Sequence, residues 1–399
     1  MKLMSFTHSG LPALRHVRAL LPVLLSSLIL LVSSTVWPQA AEPQTPFPVE
    51  ATCPVMGLQP RPAQLETGGV ILAALDRRNQ WAINLDRRTR YPLPGTRPCA
   101  GNCHLSPDSR WITYLDNSSE AFGQIRLDGS EATPIIEKTT ELSWWSEEIF
   151  LAWSSTHRAS FVDDGGQVLE TFPTRGVISL QPGGQWTLRL VYEDGIFRRM
   201  LTPLNPEAPD APPVILLGED KQGFSASDWS PDGRYLAYLS PSPDDPDSGE
   251  VYLIAPDTDQ TPTQLTDFAA EGGLMLGGQT PGGLRWSPDG QKLAFWARTA
   301  DAMQSASLYV IDLAEDEVRH LCGLEIDLSE QTITPDPPAF IWSWDSAYVA
   351  FGANPPDDVR GTLLIAVNIR DGVYIELSDG LTSAPGGASV VAWGRLPGR

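Results

Sequence analysis

Histidine is nearly missing from this chain. Five of its 399 residues are histidine, and two of those, His8 and His16, fall within the first 41. The other three, His104, His157 and His320, have no H-E-x-x-H spacing and no pairing on one strand. A zinc hydrolase therefore has no ligand set to work with. Cysteine is as sparse, at four, and no C-x-x-C pair occurs, which excludes a zinc ribbon or a thioredoxin-like site. There is no G-x-S-x-G nucleophile elbow. Nothing points to a cofactor or a metal. Basic residues are few as well: 28 Lys and Arg stand against 49 Asp and Glu, for a net charge of −21. Such an acidic chain is a poor partner for nucleic acid or anionic lipid. Finally, no run of ten or more residues after position 41 has convincing helical periodicity.

What basic charge there is at the amino terminus is placed with purpose. Residues 1–41 hold Lys2, Arg15 and Arg18 and no acid, followed by an apolar stretch from Ala19 to Trp37. This reads as an export signal outside the fold. Ala40-Ala41 offer small residues, but Pro38 or Gln39 at the −3 position is a poor cleavage match. The stretch is also near the roughly 20 residues that span a bilayer, so an uncleaved anchor is the alternative. Without the three cations of this segment the body carries −24. Residues 42–65 are rich in Pro, Gln and Glu and read as an extended linker. In an exported protein the four cysteines, Cys53, Cys99, Cys103 and Cys322, allow two disulfides in three connectivities, with Cys99–Cys103 as one local staple.

Tryptophan (13), glycine (34) and proline (36) are the abundant residues. They converge in one motif, Trp-Ser-Pro-Asp-Gly, found at 229–233 and again at 286–290, 57 residues on. Each copy precedes an apolar run, Tyr235-Leu-Ala-Tyr238 and Lys292-Leu-Ala-Phe-Trp296. Ser-Pro-Asp-Gly has type I turn chemistry, with proline presetting φ and glycine taking the left-handed position. The motif thus joins two antiparallel strands, and Asp232 and Asp289 are expected as turn residues rather than catalytic carboxylates.

Degenerate copies fill the rest. They centre on Leu105, Trp145, Leu180 and Trp342, with an incomplete last copy at Trp393. The anchors lie 35 to 57 residues apart, the range of propeller blades. Each full repeat holds four strand-sized segments, and Asp-Gly pairs such as Asp128-Gly129 and Asp164-Gly165 mark tight turns. The first repeat, from Val70, lacks an initial strand, and Ser389–Trp393 is an initial strand with nothing after it. Joined, they complete a blade and close a ring. The expected fold is all-β: a seven-bladed β-propeller over residues 66–399, in preference to six or eight blades.

The Trp-Ser-Pro-Asp-Gly-x-x-Leu-Ala-Phe/Tyr unit resembles the WD-like "PD" propeller repeat of TolB-type periplasmic proteins and of prolyl oligopeptidase-like peptidases. The resemblance is close at 227–240 and 284–297, moderate at 103–116 and 340–353, and weak elsewhere. It implies a fold and an extracytoplasmic binding platform. This sequence shows neither the amino-terminal α/β domain of the first family nor the hydrolase domain of the second, so neither full activity is expected.

The residues just before the tryptophan position are His104, Trp144, Ser179, Asp228, Arg285, Ile341 and Ala392. They belong to the innermost strands. His104, Asp228 and Arg285 are therefore candidates for a channel cluster that binds a small ion or a peptide terminus, against the plainer reading that they glue blades together. Pro243–Glu250 is acidic enough to suggest calcium but reads as a solvated loop. Asn117-Ser118-Ser119 is a glycosylation sequon for a eukaryotic secretory route only. Trp144-Trp145 and Trp342/Trp344 are candidates for stacking a sugar or peptide, with wedge-filling between blades as the plainer role. The expected protein is a monomeric binding platform of the cell envelope, with another envelope or secreted protein as partner and membrane contact only through its amino-terminal segment. A hydrolase or lyase at the channel mouth is the alternative.

Overall fold

A computed structural model describes residues 45–54, 57–62, 65–75, 78–98, 103–246, 248–271, 273–275, 283–299, 305–327, 338–353, 363–377 and 389–396. Residues 1–41, expected from sequence to be an export signal, lie outside these residues. Among the described residues no helix is long and apolar enough to cross a membrane.

Six four-stranded antiparallel sheets and a seventh sheet of six strands, in blade 6, stand around a common axis as a seven-bladed β-propeller. Blade 1 is composite. Its inner strand, Ser389–Gly394, comes from the carboxyl end and pairs with Val70–Ala74, followed by Trp81–Asn84 and Thr89–Pro92. Blades 3, 4, 5 and 7 each run inside to outside in chain order, beginning at Glu141–Trp144, Val177–Leu180, Ser227–Trp229 and Phe340–Trp342. Blade 6 begins at Leu284–Trp286 and runs out through Lys292–Thr299 and Ser305–Asp312 to Glu317–Asp327. Blade 2 shares its inner position between two pieces, Thr96–Arg97 and a bridge at Leu105, both against Trp111–Asp116.

The repeated turn forms as its chemistry requires. Gly233 N–H donates to Ser230 O at 2.8 Å, and Gly290 N–H to Ser287 O at 2.9 Å. The serine hydroxyl donates to the aspartate, Ser230 to Asp232 at 2.7 Å and Ser287 to Asp289 at 2.5 Å. It also accepts the N–H that starts the next strand, from Tyr235 and Lys292, both at 2.9 Å. The glycines have φ of 71° and 67°. Ser109 and Ser346 hold the same left-handed position in blades 2 and 7, at 60° each. In blade 4 one side chain replaces both serine and aspartate: Gln181 Oε1 accepts from Gln185 N and Trp186 N at 2.8 and 3.1 Å.

Register corrects the alignment of blade 3. Trp145 N–H donates to Ile149 O at 2.9 Å, as Ser230 does to Tyr235 and Ser287 to Lys292. Trp145 therefore stands at the serine position, and Trp144 is the true equivalent of Trp229 and Trp286. Two adjacent tryptophans and a shortened turn make the one-residue slip invisible in sequence, whereas the ladder fixes it. The residue that precedes the tryptophan position in that blade is Ser143.

The Pro-rich stretch before blade 1 is extended and docked. Phe47 N–H donates to Leu265 O of blade 5. Val49–Ala51 then adds a parallel strand outside blade 6, against Val318–His320. Gln59 bridges Ile375 of blade 7, and the Arg88 guanidinium of blade 1 donates to Pro62 O. Cys53 is disulfide-bonded to Cys322 on the outer strand of blade 6. Cys103 is also disulfide-bonded, and Cys99 lies outside the described residues. The stretch is thus a strap over the outer edges of blades 5, 6 and 7, where it pairs backbone groups that an edge strand would leave open.

The core is the set of wedges between blades. Trp296, Phe340, Trp342, Phe351 and Tyr374 fill the wedge of blades 6 and 7. Phe268, Trp286, Phe295 and Tyr309 fill that of blades 5 and 6. Trp393 packs with Tyr348 and Ile71 where the ring closes. Aromatic rings suit wedges that widen outwards because each removes a large apolar area from water. Trp342 belongs to this packing, and Trp344 donates its indole N–H to Gly68 O.

Candidate functional site

His104, Asp228 and Arg285 stand at equivalent places in blades 2, 5 and 6. Each accepts the indole N–H of the next blade's tryptophan on its backbone carbonyl: Trp144 on His104 O at 3.2 Å, Trp286 on Asp228 O at 3.0 Å, Trp342 on Arg285 O at 3.1 Å. Tryptophan at the strand end supplies one donor, and the neighbouring inner strand supplies the buried carbonyl that needs it. The Trp229 indole N–H finds no partner among the described residues. Blades 4 and 5 are joined differently. Gln181 donates to Gly233 O at 2.9 Å and Trp186 to Asp257 at 2.8 Å, while the buried Arg199–Asp220 pair reaches Phe224 O through the arginine.

The side chains of the trio are engaged unequally. Asp228 accepts the Trp286 backbone N–H at 2.9 Å, a second clamp between blades 5 and 6. Burial pushes its carboxyl above the usual carboxylate range; the Arg285 guanidinium, the N–H groups of Trp286 and Trp229, and His104 oppose that rise. Arg285 and His104 are therefore both within electrostatic reach of Asp228. His104 Nε2 meets Glu141 Oε1 of blade 3 at 2.8 Å. Sequence reasoning missed Glu141, because it lies three residues before Trp144 instead of at the repeated position. Arg285 is exposed, and among the described residues its guanidinium forms no ion pair. The cluster holds two acids, one permanent cation and one histidine. It has hydrogen-bonding capacity for a small polar group.

Other candidates resolve into structure. Asp232 and Asp289 serve their own turns. Pro243–Pro246 is exposed, but Glu250, at the end of that acidic run, is fully buried. It accepts from Thr266 Oγ1 at 2.6 Å and from the N–H groups of Phe268 and Ala269 at 2.9 and 2.8 Å, pinning a one-turn helix, Phe268–Glu271. No group of metal-binding side chains forms among the described residues. Asn117 is exposed in a turn.

The clefts lined by described residues include two on the surface. One, of about 380 Å³, lies between blades 1 and 2 and is lined by Asn84, Arg87, Tyr91 and Asp128. The other, of about 360 Å³, lies between blades 2 and 3 and has Trp111, Trp144 and Phe150 in its walls. Among the described residues, the large apolar residues with high exposure fall on blades 3 and 4: Val168, Leu169, Tyr192, Val214 and Leu216, exposed by 49 to 63%. Sequence patterning pointed to none of these, since outer strands of a propeller alternate like any others.

No family model matches the chain, and no curated protein matches it. Many solved structures do. A protein of unknown function from Desulfotomaculum acetoxidans has 12% identity over 82% of this chain and 99% of its own, with a TM-score of 0.47. TolB from Acinetobacter baumannii has 12% identity over 88% and 98%, with a TM-score of 0.40. The β-propeller domain of Cps50 (Swd1) from Myceliophteria thermophila has 13% over 68% and 84%, with a TM-score of 0.43. At such identities the likeness is one of fold alone.

Proposed function

We propose that this chain is an extracytoplasmic platform that binds a protein partner through the outer part of blades 3 and 4. One observation carries this reading: the exposed large hydrophobics of the described residues are gathered on those two blades. The strap covers the edges of blades 5, 6 and 7, whereas Val168–Pro173 of blade 3 leaves four consecutive residues exposed at its edge. Clustered apolar exposure beside an open strand edge is what a binding face requires. An oxidising compartment fits the Cys53–Cys322 bond, and export fits the basic-then-apolar amino terminus. The channel cluster of His104, Asp228 and Arg285 is a second, smaller place for a polar ligand.

The test is capture from envelope extracts by the full-length chain and by a Leu169→Asp/Leu216→Asp variant. A partner held by the wild type and by an Arg97→Glu control, but released by the double variant, supports the platform. Equal capture by all three chains sinks it. The rival reading, a hydrolase or lyase at the channel mouth, rests on the displaced carboxyl of Asp228 beside Arg285 and His104. Turnover of a broad substrate panel that disappears in Asp228→Asn would replace the platform with an enzyme.

A further inference from the structure

The cleft between blades 2 and 3 has a composition that selects its ligand. Its aromatic wall is Trp111 and Trp144, both half-buried, with Phe150 closing it from within at 1% exposure. Its rim carries Glu147 and Glu148 from the inner hairpin of blade 3 and Asp164 from the outer turn of the same blade. Among the described residues none of these three carboxylates forms an ion pair, and no Lys, Arg or His lines the cleft. Asp108 also reaches it, but that carboxylate is bound by Ser106 Oγ at 2.6 Å and shapes its own turn.

We propose that this cleft binds an organic cation, an ammonium or guanidinium group carried on a short apolar stem. Volume, wall and rim each contribute a requirement. A cleft of about 360 Å³ accommodates a small molecule or one long side chain. The tryptophan faces attract a cation through the ring quadrupole and cover an apolar stem, which a solvated metal ion lacks. The unpaired rim carboxylates repel anions and complete the charge. The protein already uses this chemistry next door. The Arg126 guanidinium lies 4.6 Å from the centroid of the Trp111 ring and pairs with Glu131 at 3.0 Å. The −21 net charge of the chain raises the local concentration of cations at such an opening. This inference stands on blades 2 and 3 and does not depend on the apolar face of the platform.

Calorimetric titration of the full-length chain tests it, with choline as the probe and 3,3-dimethylbutan-1-ol as its uncharged isostere. Choline is expected to bind saturably, and the alcohol at least about tenfold more weakly, because the alcohol lacks the cation–ring attraction. A Glu147→Gln/Glu148→Gln/Asp164→Asn variant should lose choline binding by about tenfold while keeping the wild-type melting temperature, since all three side chains are exposed. Equal binding of alcohol and choline, absence of saturable choline binding, or binding unchanged in the triple variant would each overturn the proposal. A parallel titration with a lysine-containing peptide identifies the source. A tighter peptide points to a basic side chain of a protein, and a tighter choline to a free small molecule.

Discussion

Asp228 is a partly buried carboxylate that accepts the Trp286 backbone N–H at 2.9 Å. Its folded-state titration lies above the ordinary value, because burial outweighs the help of Arg285, Trp286, Trp229 and His104. The folded protein therefore holds this proton more tightly than the unfolded chain does. Stability from this group is fully present below the unfolded value and is lost as pH rises through the folded one. Asp228→Asn keeps an oxygen to accept from Trp286 N–H and removes the charge. Urea midpoints measured from pH 4 to 7 should decline less steeply in the variant than in the wild type. Parallel slopes would mean that Asp228 titrates as an ordinary surface acid. The two copies of the turn offer a second comparison. A Cβ on Gly233 would meet Pro182 O at 2.4 Å, a backbone atom of blade 4. On Gly290 the nearest atom is Pro231 Cδ at 3.7 Å. Gly290→Ala should cost about 1 kcal/mol, the left-handed penalty that Ser109 and Ser346 already carry. Gly233→Ala carries the same penalty plus a backbone clash, and its melting temperature should fall at least twice as far.

The strap is the element that sequence patterning did not disclose. Its prolines and polar residues look like a spacer, and what docks it is a set of blade edges more than 200 residues away in the chain. Val49–Ala51 has no pattern of its own, because a three-residue parallel strand takes its register from its partner. The blades, by contrast, were legible. Their turns are built within a few residues, and the Ser-Asp turn chemistry repeats in blades 2, 5, 6 and 7. Blade 3 shows the limit, since Trp144 and Trp145 fit the template equally until Ile149 chooses between them. The equivalence of His104, Asp228 and Arg285 was legible through their offset from tryptophan, but the His104 partner Glu141 was not. For the strap, the Cys53–Cys322 bond spans 269 residues. A tether over so long a loop should contribute about 2–5 kcal/mol. A Cys53→Ser/Cys322→Ser chain should show a lower denaturation midpoint and earlier proteolytic cutting within residues 45–62. Cutting at the same rate as wild type would show that the parallel strand alone holds the strap.

On the scale of the whole molecule, stability depends on a ring whose two ends meet in blade 1. Residues 389–394 contribute an inner strand paired with Val70–Ala74 along its length. Gly68 O accepts both Trp393 Nε1 at 3.1 Å and Trp344 Nε1 at 3.2 Å, so blades 7 and 1 share one acceptor at the seam. Trp393 is 1% exposed, and Val390 and Ala392 are buried with it. Truncating one such tryptophan costs about 3–5 kcal/mol, against a total of about 5–15 kcal/mol for a domain. Trp393→Ala should therefore melt well below the wild type and still fold. Removing residues 389–399 deletes that side chain and also bares the edge of Val70–Ala74, which is apolar on both faces. An edge of that kind invites pairing between molecules. The truncated chain is expected to aggregate on size-exclusion chromatography. A synthetic peptide covering 385–399, added during refolding, should restore the monomer by supplying the missing strand. A truncated chain that stays monomeric with an unchanged melting temperature would show that the wedge contacts hold the ring without its closing strand.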